Sequence, residues 1–420
     1  MNKKINIGLI GLGTVGQGVV KVLSKFDNID IITCAVKNLN KKRQVEVKNL
    51  TTDVYEVVNN PDVDIVVEVA GGVGVKDALL CAIKNKKHIV TANKELLARY
   101  GAELFDEARN NSTSILYEAA VAGGIPIVQP IKTSLKANDF DCVAGILNGT
   151  TNYILTKMEE ENLSYEECLK KAQELGYAET DPTNDVEGYD AMYKIAILAN
   201  IVFNRRIDAS NIYCEGITKI SPFDIKSADE LGYKIKLIAQ AKKVDKTPDT
   251  LDIRVHPMLV DKNQAISEIR NATNAVLLSG FPVGKLMSTG GGAGEFPTSS
   301  SVVGDILQIV SEISNKDTIL PMQVCHHDKF AYQIDINKTT NSYYLRLEAK
   351  NKLGIIGQIG LACSKYGINL SSILQKGTNE NGSATIIVVT EMCLEDNINK
   401  MIQVLEESND IKVVNKIRVM

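Results

Sequence analysis

Residues 5–23 read INIGLIGLGTVGQGVVKVL, an order that few folds accommodate. A short apolar run from Ile5 to Ile10 passes into Gly11-Leu12-Gly13-Thr14-Val15-Gly16, after which Val19, Val20, Val22 and Leu23 carry a helical apolar face. Strand, glycine turn and helix in immediate succession predict the opening unit of a doubly wound, Rossmann-type parallel sheet. The missing side chains at Gly11, Gly13 and Gly16 permit a tight bend, close approach of backbone to a pyrophosphate, and contact of helix with strand; Thr14 and Val15 belong to the same cofactor-binding turn. Further apolar runs at Ile29–Val36, Asp64–Ala70, His88–Ala92 and Ser114–Ala119, mostly separated by helical stretches, continue the alternation.

Beyond about Ile125 the pattern becomes irregular, and the chain divides by expectation into four parts. Residues 1–125 form the dinucleotide-binding domain, completed by about 290–318; residues 126–289 form an α/β catalytic and dimerisation domain; 319–342 are a linker; and 343–420 are a compact βαββαβ unit. In the middle part, strands are expected near Cys142 and Ile253. Ser164-Tyr165-Glu166-Glu167 predicts a capping box for a helix that ends at Gly176. Gly290-Gly291-Gly292-Ala293-Gly294, followed by Thr298 to Ser301 and the apolar pattern Val302, Val303, Ile306 and Leu307, predicts a glycine loop entering an anion-favouring helix that returns to the cofactor domain.

Composition narrows the function classes. Lys and Arg number 47 against 51 Asp and Glu, a net charge of -4 with no basic block interleaved with aromatics, which argues against nucleic acid as a partner. The eight cysteines stand singly, without CxxC spacing, and fit reduced thiols in a cytoplasm. No run approaches a membrane span, and glycines interrupt the apolar N-terminal stretch that superficially mimics a signal peptide.

Four sets of residues carry candidate chemistry. Within VEGYDAMYKIAIL, Lys194 lies on an otherwise apolar helix, with Asp190 four residues before it and Glu187 seven before, all on one stripe. A structural ion pair and a catalytic amine both explain that stripe. Lys94 follows the fourth strand, where open sheets keep their ligand crevice, and Gly71-Gly72 follow the third. The second strand ends at Ala35-Val36-Lys37-Asn38 without the acid that would hold a ribose diol; Lys37, with Lys41, Lys42 and Arg43, suits a ribose 2′-phosphate, so NADP(H) is favoured over NAD(H). Cys325-His326-His327-Asp328 invites a metal reading, but no second cluster completes a tetrahedron.

Taken together, GLGTVG, TANKELLA, YEAAVAGGIPIV, GILNGTTNYILTKM, AQELGYAETDPTNDVEGYDAMYKIAILA and GGGAGEFPTSSSVVGD resemble, in order, the homoserine dehydrogenases that carry a C-terminal ACT domain. The resemblance implies NAD(P)-dependent interconversion of aspartate 4-semialdehyde and homoserine, in threonine, methionine and isoleucine biosynthesis. It implies proton exchange by Lys194 with Asp190 as its partner, Lys94 beside the cofactor, Glu179 and Asp185 on the substrate, and Gly292 in the cofactor set. It further implies a monovalent cation such as sodium at Glu118, Val121, Gly123 and Ile125, where one carboxylate with backbone carbonyls makes a plausible cage. A homodimer or higher homo-oligomer is expected, with threonine as an effector at the ACT domain, although Asn351-Lys352-Leu353-Gly354 departs from the usual Asp-x-Pro-Gly. Two rivals stand beside this reading: a semialdehyde dehydrogenase using a cysteine thioester, for which Cys142 is the candidate, and a nucleotide-sensing ACT regulator.

Overall fold

The strand Ile5–Ile10 (β1) is buried at every position but one, as a central parallel strand covered on both faces must be. In this computed structural model, which describes residues 4–315, 327–378 and 382–420, β1 sits in a six-stranded sheet. Its partners are β2 (Ile29–Ala35), β3 (Leu50–Thr51), β4 (Ile65–Glu68), β5 (His88–Thr91) and β6 (Ile115–Leu116). The order is β3-β2-β1-β4-β5-β6 with every pairing parallel. The direction of winding reverses between β1 and β4, which opens a crevice at their carboxyl ends. β3, only two residues long, is too short to leave a periodic signal in the sequence.

Glycines set how closely these pieces approach. At Gly11, φ is +99°, and an added Cβ would stand 2.8 Å from the Ala70 Cα, so only glycine lets the ends of β1 and β4 meet there. A Cβ at Gly18 would stand 2.3 Å from Ser299 Oγ, because the helix Glu295–Asn315 packs directly on the helix Thr14–Leu23. Val302, Val303, Ile306 and Ile309 of that late helix share one core with Ile5, Ile7 and Leu9. Its start differs from expectation: Gly290 and Gly291 belong to the strand Gly284–Gly291, and the first helical turn carries Glu295, paired with Lys21 at 2.7 Å.

The irregular middle of the sequence folds as long strands. Gly284–Gly291, Thr273–Phe281, Asp139–Ile146, Tyr233–Val244 and Thr247–Asp261 lie side by side in that order. The two longest are buried in continuous runs that include Lys236, Gln240, Arg254 and His256, so neither shows the alternation by which a half-exposed strand is read. The helix Tyr189–Phe203 packs across three of these strands. Preceding it, the helix Tyr165–Glu174 starts with the expected capping box, and Gly176 after it has φ +76°.

The C-terminal elements follow the expected order: strand Thr340–Lys350, helix Ile355–Lys365, strands Leu370–Thr378 and Ser383–Thr390, helix Glu395–Glu407 and strand Ile411–Val419. They do not form a detached unit. Strand Ile411–Val419 pairs in parallel with the end of Thr247–Asp261, through Met258 with Arg418 and Leu259 with Val419, and the middle and C-terminal strands make one mixed sheet. Nor is the approach to it a free linker. Arg206 N donates to Lys329 O at 2.7 Å, and Tyr332–Gln333 pairs with Thr250–Leu251. Of the expected Asn381-Gly382 turn, Asn381 lies outside the described residues, as do Cys325 and His326.

Charges buried at this junction hold it together. Arg418 donates to both Glu395 oxygens at 2.7 and 2.8 Å and to Glu215 Oε2 at 3.0 Å, while Lys416 and the Tyr343 hydroxyl add contacts to Glu395 at 2.6 and 2.8 Å. Burial pushes the Glu395 carboxyl up, but the hydrogen bonds and charge of Arg418, with Lys416, hold it down at about 2. Replacing Glu395 with leucine takes the main counter-charge from the buried Arg418 and from the half-buried Lys416, and we expect a loss of about 3–5 kcal/mol in chemical denaturation. Because the folded value lies below the unfolded one, this stabilisation is complete above roughly pH 4.3. It disappears as the pH falls toward 2, so the gap between parent and Glu395→Leu should close over that interval.

Candidate active site

Strand Asp139–Ile146 runs through Leu147 into Asn148, which caps the helix Gly149–Glu161 by accepting from the Thr151 amide at 2.8 Å. With its side-chain oxygen so occupied, Asn148 directs its Nδ2 to two carboxylates, Asp185 at 2.7 Å and Asp190 at 2.9 Å. Asp190 lies in the first turn of the helix Tyr189–Phe203, where the free backbone amides favour an anion. One turn later, Lys194 donates to Asp190 Oδ2 at 2.6 Å and to the Leu147 carbonyl at 2.7 Å. Lys94 reaches the other oxygen, Asp190 Oδ1, at 2.6 Å. It begins the helix Lys94–Asn111, whose cap Asn93 accepts from the Leu96 amide and donates to the Gly72 carbonyl.

Asp190 is therefore a buried carboxylate between two ammonium groups. Burial pushes its carboxyl up, but Lys194 and then Lys94 overcome this and hold it well below the usual carboxylate range. The lysines diverge. The charge of Asp190 raises Lys94, with smaller help from Asp185 and Glu179, whereas burial lowers Lys194 and the positive Lys94 adds to the lowering. Burial, and then the neighbouring Asp190 charge, raise Asp185. Glu179 is exposed at the edge of this group, where its charge registers on Lys94. Glu187 does not share the stripe: Gly188, at φ +87°, breaks the chain between Thr183–Val186 and the lysine helix, and the Glu187 carbonyl accepts from Cys214 Sγ.

On the crevice side, positions that would carry Cβ at Gly13, Gly71 and Gly72 meet nothing within 4 Å. No side chain caps the helix Thr14–Leu23, so its first amides are free for a phosphate, and the residues fit a dinucleotide. Gly16 is pressed instead against the Gly11 carbonyl, where a Cβ would stand at 2.2 Å. Lys37, Lys41 and Lys42 are exposed after β2. Arg43 turns inward and donates to the carbonyls of Asn38, Leu39 and Lys41, shaping that loop instead of extending from it.

The Glu118 carboxylate accepts from the amides of Ile127 at 2.5 Å, Val128 at 2.8 Å and Gln129 at 2.7 Å, which commits it to the start of the helix Val128–Lys132. The Gly123 carbonyl accepts from Ser301 Oγ at 2.7 Å. Cys142 belongs to the buried-sheet environment, which pushes its thiol up to about 11, the opposite of what a thioester-forming nucleophile needs. Among the described residues no group of His, Cys, Asp and Glu converges for a metal; His327 bonds Asn204 and Asp328 pairs with Arg109.

Comparison with known proteins shows the family of the chain. The family described as "Homoserine dehydrogenase" matches residues 126–307, and "Homoserine dehydrogenase, NAD binding domain" matches residues 11–118. Homoserine dehydrogenase from Synechocystis sp. is 40% identical, with 98% of each chain covered. The chain belongs to the homoserine dehydrogenases. The counterpart from Bacillus subtilis is 39% identical over 99% of this chain and 97% of its own. The crystal structure of a homoserine dehydrogenase from Thiobacillus denitrificans matches with a TM-score of 0.93 at 36% identity, covering 100% of this chain and 99% of that one. The enzyme is accordingly an NAD(P)-dependent oxidoreductase acting on a CH–OH group, interconverting L-homoserine and L-aspartate 4-semialdehyde.

Sequence reasoning on this dehydrogenase missed three contributors. Asn148 carried a signal, since an asparagine three residues before Thr151 is an N-cap pattern. Glu68 carried another, an acid inside the apolar run of β4; fully buried, it accepts from the Ala70 and Gly71 amides and the Thr91 hydroxyl, fixing the crevice loop. The Leu147 carbonyl carried none, because a backbone acceptor has no residue type.

Proposed function

We propose that the reaction proceeds over the Asp190, Lys194 and Lys94 cluster, with Lys194 as the group that exchanges the substrate hydroxyl proton. The observation that carries this reading is the bridging of both lysine amines by one buried carboxylate, each at 2.6 Å. The nicotinamide cofactor, when bound, supplies or takes the hydride. In reduction, the Lys194 ammonium stabilises the developing alkoxide and protonates it; in oxidation, the neutral amine accepts that proton. Burial favours the neutral amine while Asp190 favours the charged one, so Lys194 is suited to both directions. Glu179 and Asp185 bind the substrate, with the Glu179 carboxylate on its amino group, and Lys94 joins Gly11, Gly13 and Gly16 in the cofactor-binding set. Lys194→Ala should lower turnover about a hundredfold or more while NADPH still binds, measured by steady-state rates beside fluorescence titration of the cofactor. Near-normal turnover in the folded variant refutes the assignment.

NADP(H) is the preferred cofactor in this reading, supported by the absent acid after β2 and by the exposed lysines there. Lys37→Ala should weaken NADPH more than NADH, since only NADPH carries the 2′-phosphate. Equal losses with both, compared through kcat/KM, remove Lys37 from that role. Any monovalent cation at the turn from Glu118 to Ile125 rests on backbone carbonyls.

The strand and helix order of residues 343–420 and the left-handed Gly354 support an ACT domain with threonine as effector. The free cysteines support a cytoplasmic location, and no described helix is long and apolar enough to cross a membrane. A homodimer through the middle sheet accompanies the reading. Since Arg254 in the middle sheet bonds Thr339 and Asn341 at 3.0 and 2.8 Å, removal of the C-terminal part would strip partners from a buried guanidinium, and the full chain is the proper test object. Threonine titrated into it should inhibit homoserine oxidation, and absence of both inhibition and calorimetric binding refutes the effector.

A further inference from the structure

Lys194 shares its backbone acceptor. The Leu147 carbonyl receives the Lys194 ammonium at 2.7 Å and, on its second lone pair, Asn274 Nδ2 at 3.0 Å. Asn274 is wholly buried at the start of the strand Thr273–Phe281, and its Oδ1 has no hydrogen-bond partner among the described residues. What fixes the amide on its other side is backbone. A Cβ on Gly292 would lie 2.1 Å from Asn274 Cγ and Nδ2, and Gly292 is itself backed by Gly123, whose own Cβ would lie 2.4 Å from the Gly292 carbonyl oxygen. The side chain is thus clamped between one hydrogen bond and the glycine segment that leads into the late helix of the cofactor domain.

We propose that Asn274 is a positioning residue for proton transfer, holding the Leu147 carbonyl where Lys194 donates to it and tying that point to the Gly292 segment. The inference rests on Lys194 as the proton-exchanging group. Two consequences follow from the shared acceptor. Without the amide, the peptide carbonyl is free to tilt, and the amine loses its fixed direction toward substrate. Without a competing donor, the carbonyl also becomes a stronger acceptor for the lysine, which favours the charged amine. Homoserine oxidation needs the neutral amine, so its rate should require a higher pH.

The test is the pH profile of homoserine oxidation by the full-length enzyme. Asn274→Leu should lower kcat about tenfold or more near neutrality, with KM for homoserine changed less than about twofold, and should move the low-pH limb of kcat upward. Asn274→Asp retains a donor to the Leu147 carbonyl only while protonated, so it should approach the parent at low pH and the leucine variant at high pH. Gly292→Ala leaves the amide intact but displaces it, and should reproduce the shifted limb; with the aspartate variant it decides the matter if the leucine variant fails to fold by circular dichroism. Unchanged kcat and limb in folded variants overturn the proposal, as does a loss confined to KM. Lys194→Ala is measured alongside: if it stays active, the underlying assignment is wrong, whereas an inactive Lys194→Ala beside parent-like Asn274 variants removes Asn274 alone.

Discussion

The mixed-sheet half of this molecule depends on a carboxylate taken out of water. Asp190 is 5% exposed and Lys194 7% exposed, and neither charge is tolerable at that depth without the other. Desolvation makes the pair sensitive to every nearby polar group, which is why so many converge on it: the Asn148 amide, the Leu147 carbonyl, Lys94 and the free amides of a helix start. Each removes one way for the charges to relax, and a site so constrained presents its amine in one place. The cost of burial and the accuracy of the chemistry have the same origin.

Those groups come from separate parts of the chain. Lys94 stands at the carboxyl edge of the parallel sheet, Leu147 and Asn148 at the end of a strand in the mixed sheet, and Asp190 and Lys194 on the helix laid across that sheet. The Lys94–Asp190 contact therefore joins the half that carries the NAD binding domain to the mixed-sheet half directly. The two charges of Lys94 and Lys194 also repel, so the cluster is balanced only while both halves keep their distance. In this sense the ion pair is part of the seam between domains as much as of the site.

Local chemistry was legible in the sequence wherever a residue type answers to a single physical demand. Gly11 needs a left-handed backbone, Gly16 has no room for a side chain, and Ser164 with Glu167 satisfies orphan amides. Lys194 and Asp190 were readable for the same reason, since ions on an apolar helix require each other. Among the middle strands, those at Cys142 and Ile253 were legible, whereas Tyr233–Val244 was not, because burial of both faces erases the alternation that marks a strand. Glu187 was misplaced because spacing assumes an unbroken helix, which Gly188 interrupts. Glu118 entered the expected cation set through the resemblance, and the three main-chain amides that its side chain also meets have no residue identity to reveal them. The C-terminal elements were legible one by one, but their fusion to the middle sheet turns on a two-residue pairing and on charges that look like surface residues until the fold buries them.

The late helix Glu295–Asn315 has a consequence for how the chain is made. Its residues Val302 to Val310 complete the core built on Ile5, Ile7 and Leu9. As the polypeptide emerges from the ribosome, the parallel sheet can form once Leu116 is made, with one face covered only in part by Val19 and Leu23, and that face stays incomplete until the helix Glu295–Asn315, nearly two hundred residues later, has been added. Over that interval the nascent sheet exposes an apolar surface of the kind that chaperones bind and that drives misassembly. Synthesis of the substrate half in the meantime is thus an interruption within the nucleotide-binding half, and the order of translation differs from the order in which the cores can close.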